Sequence, residues 1–309
     1  MRALLFLLTT VLVFGANRAD AATVGIIAPD LTVEAYARAA RAAQSAAQDK
    51  GWTVELHDLK QAPTAPADLA GGELEGLVLI ALRPDAVADQ LAPVRAAGVP
   101  IVTVLAGASS LAVFDVGVNQ YAVGAETGAY LLGLLGYQGE LVLLRADDDP
   151  TARARTHVVE LMLQDVPSVH ALAKLDRPAG DDWRDQLGQE LAAKVPEAGQ
   201  GRLAVWAATD EMALVAEAAL RKLGLGRDRA MVVSVGGIQA AFDRIRDPEG
   251  LFAATAALPY ELMGEAAMDV IDDLGAGTPR EQIAVGPYLF IDSVLVDRTN
   301  VPAENELPW

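Results

Sequence analysis

Short apolar runs alternate with longer alanine-rich stretches from one end of the chain to the other. TVGIIA (23–28) has the length and continuity of a strand buried on both faces. Residues 33–50 repeat apolar positions at helical spacing, and Gly51 follows as a stop. Strands are predicted over 53–57, 76–81, 100–105 and 113–118, and a helix over 84–97 that opens on Pro84 and ends before Gly98. The stretch 59–72, LKQAPTAPADLAGG, is broken by Pro and Gly and reads as a loop or a short broken helix. Strand and helix in strict alternation predict a parallel sheet, because parallel strands need crossover helices.

The alternation then begins again. Helices are predicted over 121–135, 151–164, 183–195, 239–246 and 260–274, and strands over 140–145, 169–175, 230–235, 252–256 and 288–291. At the centre of this half stands LAVWAATDEMALVAEAALRKLG (203–224), a strand, a short turn and a helix. Thr209 occupies the N-cap position, and Asp210 and Glu211 place negative charge where the helix dipole favours it. Met212, Val215, Ala219 and Leu223 make one apolar stripe, and Gly224 is the residue after the cap. Two consecutive halves of similar size imply an α/β protein of two Rossmann-like, doubly wound parallel-sheet lobes. A crevice between lobes, outside the carboxyl ends of the strands, is a preferred place for a small ligand.

Composition narrows the function. A net charge of −18 opposes binding to nucleic acid or anionic lipid, since phosphates need a basic face. Arg2, an apolar run over 3–14 and Ala19-Asp20-Ala21 form a cleavable secretion signal (1–21), so the mature chain is expected to begin near Ala22 and to be soluble in the periplasm. With no cysteine there is no disulfide, thiolate metal site or thiol nucleophile. No nucleophile elbow, zinc-protease motif or P-loop occurs, so no enzyme, cofactor or metal is expected. Asp147, Asp148 and Asp149 lack the alternating pattern of a calcium loop and read as charge at a helix start. A secreted hydrolase is thereby disfavoured.

Several segments resemble the type I periplasmic binding proteins, the ribose- and galactose-binding group of ABC-transporter solute receptors. VGIIAPDLTVEAYARAA resembles their opening strand, loop and helix; GLVLIALRPDAVADQLAPVRAAGVPIVTV resembles the third strand, helix and fourth strand. VGVNQYAVGAETGAYLL, WAATDEMALVAEAAL and FAATAALPYELMGEAAMDVI resemble the first crossover, the Asn-Asp-Glu-Met-Ala helix start and the second crossover. The resemblance runs over 23–291 in order. It implies a first lobe of 22–120 plus about 258–285, a second of 121–257 plus 286–309, and a three-segment hinge near 119–121, 256–258 and 284–287. It also implies a monomer that traps a small molecule and presents it to an ABC permease. The alternative is a ligand-sensing subunit docking on the periplasmic domain of a sensor kinase. DNA-binding relatives of this fold carry an N-terminal helix pair, whose place is taken here by the signal.

Carried over residue by residue, most of the family's binding groups are replaced. Its Asp after the fourth strand falls at Leu105, its Asn before Asp210 at Thr209, its Asp at the ninth strand's end at Gly236, and its Gln of the second crossover at Leu258. The aromatic pair of the first loop becomes Ala35-Tyr36, and the Asp-Asn of the first crossover becomes Asn119-Gln120. Arg153 or Arg155 matches the ligand-facing arginine, and Trp183 the aromatic that stacks on a sugar ring. Spaced two apart on a helix, only one arginine can face the cleft; Arg155 is preferred, with His157 as a possible companion. These replacements predict a drier cleft whose ligand is less hydroxylated than a pentose, or more apolar or anionic. Two readings stay open for Tyr36, cleft wall or half-exposed helix tyrosine, and for the tail 297–309, wrapped on a lobe or free.

Overall fold

A computed structural model describes residues 22–64 and 74–309. The expected secretion signal and part of the 59–72 loop lie outside the described residues. The first half of the chain lays down β1 (Thr23–Ala28), α1 (Glu34–Asp49), β2 (Thr53–Asp58), β3 (Leu74–Ile80), α2 (Ala88–Ala96), β4 (Ile101–Val104) and β5 (Phe114–Gly117). The second half gives α3 (Gln120–Leu135), β6 (Gly139–Arg145), α4 (Pro150–Gln164), β7 (Val169–Asp176), α5 (Trp183–Lys194) and β8 (Leu203–Ala207). It continues through α6 (Asp210–Lys222), β9 (Ala230–Gly236), α7 (Gln239–Arg246) and β10 (Phe252–Ala257). Last come α8 (Tyr260–Gly275), α9 (Arg280–Ile283), β11 (Tyr288–Phe290) and β12 (Val294–Asp297).

These strands form two six-stranded sheets, ordered β11-β5-β4-β3-β1-β2 and β12-β10-β9-β8-β6-β7. Every pairing is parallel except β10 with β12. The two-lobed, doubly wound architecture expected from the alternation is the one observed. All five residues of β8 are buried, as a strand covered by helices on both faces requires. Trp206 at its centre is wholly buried and donates its indole N–H to Thr127 of α3 at 3.0 Å.

The chain passes between the sheets three times. It leaves the first after β5, through residues 118–119, and returns after β10, through residues 258–259, into α8, which packs along α1. The third passage departs from expectation. Residues 288–290 pair with β5, Tyr288 opposite Asp115, so this strand belongs to the first sheet and the chain crosses at residues 291–293 instead of 284–287. A twelfth strand then pairs antiparallel with β10, Ala254 opposite Asp297. The tail beyond it wraps rather than hangs free. Pro302 accepts a bond from Arg246 at 3.1 Å, and the terminal Trp309 lies under the Arg38 guanidinium of α1, 5.7 Å from its centroid.

Two further expectations change. The helix over 84–97 is a 3-10 turn, Pro84–Val87, followed by α2. In α6 the buried face is Asp210, Met212, Ala213, Ala216, Glu217 and Leu220, while Leu223 is exposed and Val215 and Ala219 only half-buried. The cause is Asp210. It complements no solvent-facing dipole but points inward, and residues 213, 216–217 and 220 follow it at helical spacing. Its Oδ1 accepts from Ser234 Oγ of β9 at 2.5 Å and Thr255 Oγ1 of β10 at 2.7 Å. Its Oδ2 accepts from the backbone N–H of Gly237 at 2.5 Å and of Ile238 at 2.9 Å. Thr209 caps α6 as expected, accepting from Met212 N–H at 3.4 Å, and Gly224 takes the left-handed conformation after its end.

Burial, with Glu211 adding to it, pushes the Asp210 carboxyl up to about 6, against the hydrogen bonds from Ser234, Thr255 and Ile238, which favour the charged form. The folded chain therefore holds this proton more tightly than the unfolded one, and stability from this group rises as pH falls through 6 towards 4. Asp210→Ala leaves four buried donors without their acceptor and is expected to cost about 3–5 kcal/mol in denaturant unfolding at pH 7.5. The gap between wild type and variant should widen by about 2 kcal/mol on going to pH 4.5, a widening that a surface aspartate would not give.

Candidate functional site

The helix that follows β1 meets the corner that follows β9, and one arginine joins them. Arg38 of α1, 8% exposed, donates from Nε and Nη2 to Glu261 of α8 at 2.6 and 3.0 Å and from Nη1 to the Gly237 carbonyl at 2.7 Å. A paired, forked geometry of this kind is what makes a buried guanidinium tolerable. Beside it, the backbone N–H of Gln239 donates to Glu34 of α1 at 3.2 Å. Nothing in the sequence pattern singled out Arg38; a basic residue on the apolar side of an alanine-rich helix was the available signal.

The predicted site residues divide around this junction. Tyr36 of α1 is half-buried. Burial first, then Asp149 and Glu211 of the second lobe, push its phenol up; Arg177 opposes them and Asp148 adds to them. Arg155 and Arg153 lie on opposite faces of α4. Arg155 is 4% exposed, donating from Nε to the Ala208 carbonyl at 3.1 Å and from Nη1 to Gln120 Oε1 at 2.8 Å. Burial pulls its guanidinium down, opposed by Asp149, Tyr260, Asp210 and Glu211. Arg153 is exposed, bonded to the Asp147 carbonyl, and lines an outer groove with Tyr121, Arg145 and His157, so neither it nor His157 joins Arg155.

Most remaining candidates are already occupied with the fold. Asn119 caps α3, its Oδ1 accepting from the N–H groups of Tyr121 and Ala122. The Thr209 hydroxyl caps α6. Gly236 leaves room for the Asp210 carboxylate: a Cβ there would sit 2.6 Å from Asp210 Oδ2. Leu258 is 3% exposed, its N–H bonded to the Gly236 carbonyl at 3.0 Å. Leu105 is half-buried with φ of +58°, a costly conformation for a leucine, held by Asp115. That carboxylate accepts from Thr103 Oγ1 at 2.7 Å and the Ala106 N–H at 3.0 Å. Trp183 is half-buried at the start of α5, its ring faced by the Arg184 guanidinium at 4.5 Å. Among the described residues no cluster suited to a metal ion occurs, and no helix is long and apolar enough to cross a membrane.

The model for the periplasmic binding protein domain matches residues 24–279. No curated protein matches in sequence. Solved structures match across nearly the whole chain. An ABC sugar transporter subunit from Rhodobacter sphaeroides superposes with a TM-score of 0.78 at 21% identity, covering 90% of this chain and 99% of its own. A 5-methylthioribose transporter solute binding protein from Thermotoga lettingae, in complex with 5-methylthioribose, gives 0.77 at 17%, covering 90% and 86%. An ABC transporter periplasmic solute binding protein from Actinobacillus succinogenes with bound D-allose gives 0.77 at 16%, covering 91% and 99%. At these identities the likeness is one of fold.

Gly124 of α3 sets the position of Arg155, because a Cβ there would meet the Arg155 carbonyl oxygen. Gly124→Ala is expected to cost about 1–3 kcal/mol in thermal unfolding through overpacking. Gly133→Ala, on the same helix with open space around it, should be neutral or stabilise by up to about 1 kcal/mol. Equal losses at both positions would show that α3 and α4 do not approach at Gly124.

Proposed function

Since this chain belongs to the periplasmic binding protein domain family, we propose that it is a periplasmic solute-binding protein of an ABC transporter, binding and not converting a small molecule between its two lobes. The observation that carries the reading is the junction itself. Supporting it, Asp149 and Glu211 of the second lobe act on both Tyr36 of the first lobe and Arg155 of the second. A ligand held there touches both lobes at once, so its binding energy favours the arrangement that a permease can recognise.

The same residues support a choice of ligand. Leu105 and Leu258 supply no hydrogen bond, and the side chains of Asn119 and Thr209 already serve as helix caps. Sites that reject a sugar lacking one hydroxyl do so with polar groups dedicated to that hydroxyl. This cleft has few to dedicate, so we place the ligand among neutral molecules with fewer hydroxyls than a hexose. Asp148, Asp149 and Glu211 around Tyr36 favour a neutral ligand over an anionic one.

A thermal-shift and calorimetric screen of the mature chain tests this with 5-methylthioribose, D-allose and organic acids. The expected outcome is a raised melting temperature with 5-methylthioribose, reaching about 2.7 kcal/mol of added stability at a hundred times the dissociation constant. D-allose should give a smaller rise. A shift with organic acids alone contradicts the neutral-ligand reading, and tighter binding of D-allose contradicts the sparse cleft.

A further inference from the structure

Tyr260 carries no assignment from sequence or family likeness. It is the first residue of α8, directly after the second passage between sheets, and is only 5% exposed. The Arg38 guanidinium lies over its ring, 5.0 Å from the centroid, so the ring itself has a structural partner. Its hydroxyl has none: among the described residues no group donates to it or accepts from it. Although the residue is only 5% exposed, its oxygen is not fully enclosed, and phenylalanine at this position would keep the contact with Arg38 while removing a polar group that is free to bind a ligand.

The surroundings define what could satisfy it. Burial, then Asp210 and Glu211, hold the phenol above the usual tyrosine range, with Arg155 and Arg38 opposing. It is therefore a neutral O–H that can both donate and accept. Arg155, near enough to act on it, uses Nε and Nη1 within the protein, and its Nη2 is unpartnered among the described residues. A guanidinium N–H only donates. Together the two groups suit a ligand whose oxygens accept from Arg155 and exchange a hydrogen bond with the phenol. A hydroxyl does both.

We propose that Tyr260 is a ligand-binding residue, its free hydroxyl at the second passage between the sheets bonding a hydroxyl of the bound molecule, with Arg155 Nη2 as a further free donor to that molecule. Tyr36 of α1 has a hydroxyl likewise free of partners among the described residues, and Glu211 acts on both tyrosines. The inference rests on the reading of the chain as a solute-binding protein, and adds a second first-lobe residue, besides Tyr36, to the recognition of the ligand.

Tyr260→Phe removes the hydroxyl and leaves the ring under Arg38. Calorimetric titration of wild type and variant with 5-methylthioribose and D-allose, alongside their melting temperatures without sugar, tests the assignment. The expected result is at least tenfold weaker binding by the variant, with a melting temperature equal to or above that of wild type. Binding within twofold of wild type overturns the inference and leaves the solute-binding reading intact. A melting temperature lowered by several degrees overturns it as well, because the hydroxyl would then have a partner in the protein. If wild type binds neither sugar, the neutral-sugar reading fails and the inference fails with it.

Discussion

A carboxylate buried among four donors holds the molecule's centre together. Asp210 brings to one point the start of α6, a serine of β9, a threonine of β10 and the two amides that follow β9. Removing an ion from water is expensive, and only donors fixed by the surrounding fold make it bearable. Those donors are fixed because the chain has no freedom at the corner. Gly236 must be glycine, since Asp210 fills the space of a side chain, and the Gly237 carbonyl turns outward to take the hydrogen bond of Arg38. One carboxylate thus sets the shape of the corner at which the two lobes touch.

The same economy of polar groups governs what the cleft can do. Positions expected to contact ligand are mostly committed to the fold: Asn119 and Thr209 as caps, Gly236 as space for Asp210, Leu105 and Leu258 as apolar wall. Hydrogen bonds already made inside the protein add nothing to affinity, whereas free ones in a dry setting add most. On the proposed reading, selectivity concentrates in Tyr36, Tyr260 and the free end of Arg155. A site of that kind, with so few directional groups, would suit a compact neutral ligand and discriminate by shape and dryness as much as by hydroxyl count.

Much of this was legible in the sequence. Apolar runs with period-matched helices between them located nearly every element, because a strand covered on both faces leaves an unbroken apolar signature. Asp210 was misleading for a physical reason: an aspartate in the first turn of a helix is favoured by the dipole whether it faces water or core. The missed signal lay elsewhere, in Ser234 and Thr255, single hydroxyls inside otherwise apolar strands that need an acceptor. Tyr260 was hidden because an aromatic at a helix start reads as packing, and only burial together with a free hydroxyl sets it apart. The third passage was misplaced because β11 is only three residues long, too short for period to assign it to a sheet.

The central claim is that the Asp210 carboxylate fixes the Gly236–Ile238 corner. Native-state hydrogen exchange of the Gly237 and Ile238 amides measures this directly, since both donate to Asp210 and neither belongs to a helix or strand ladder. The account predicts protection comparable to the buried strands β8 and β9, lost in Asp210→Ala. Exchange at the rate of an open loop in the wild-type protein would contradict it.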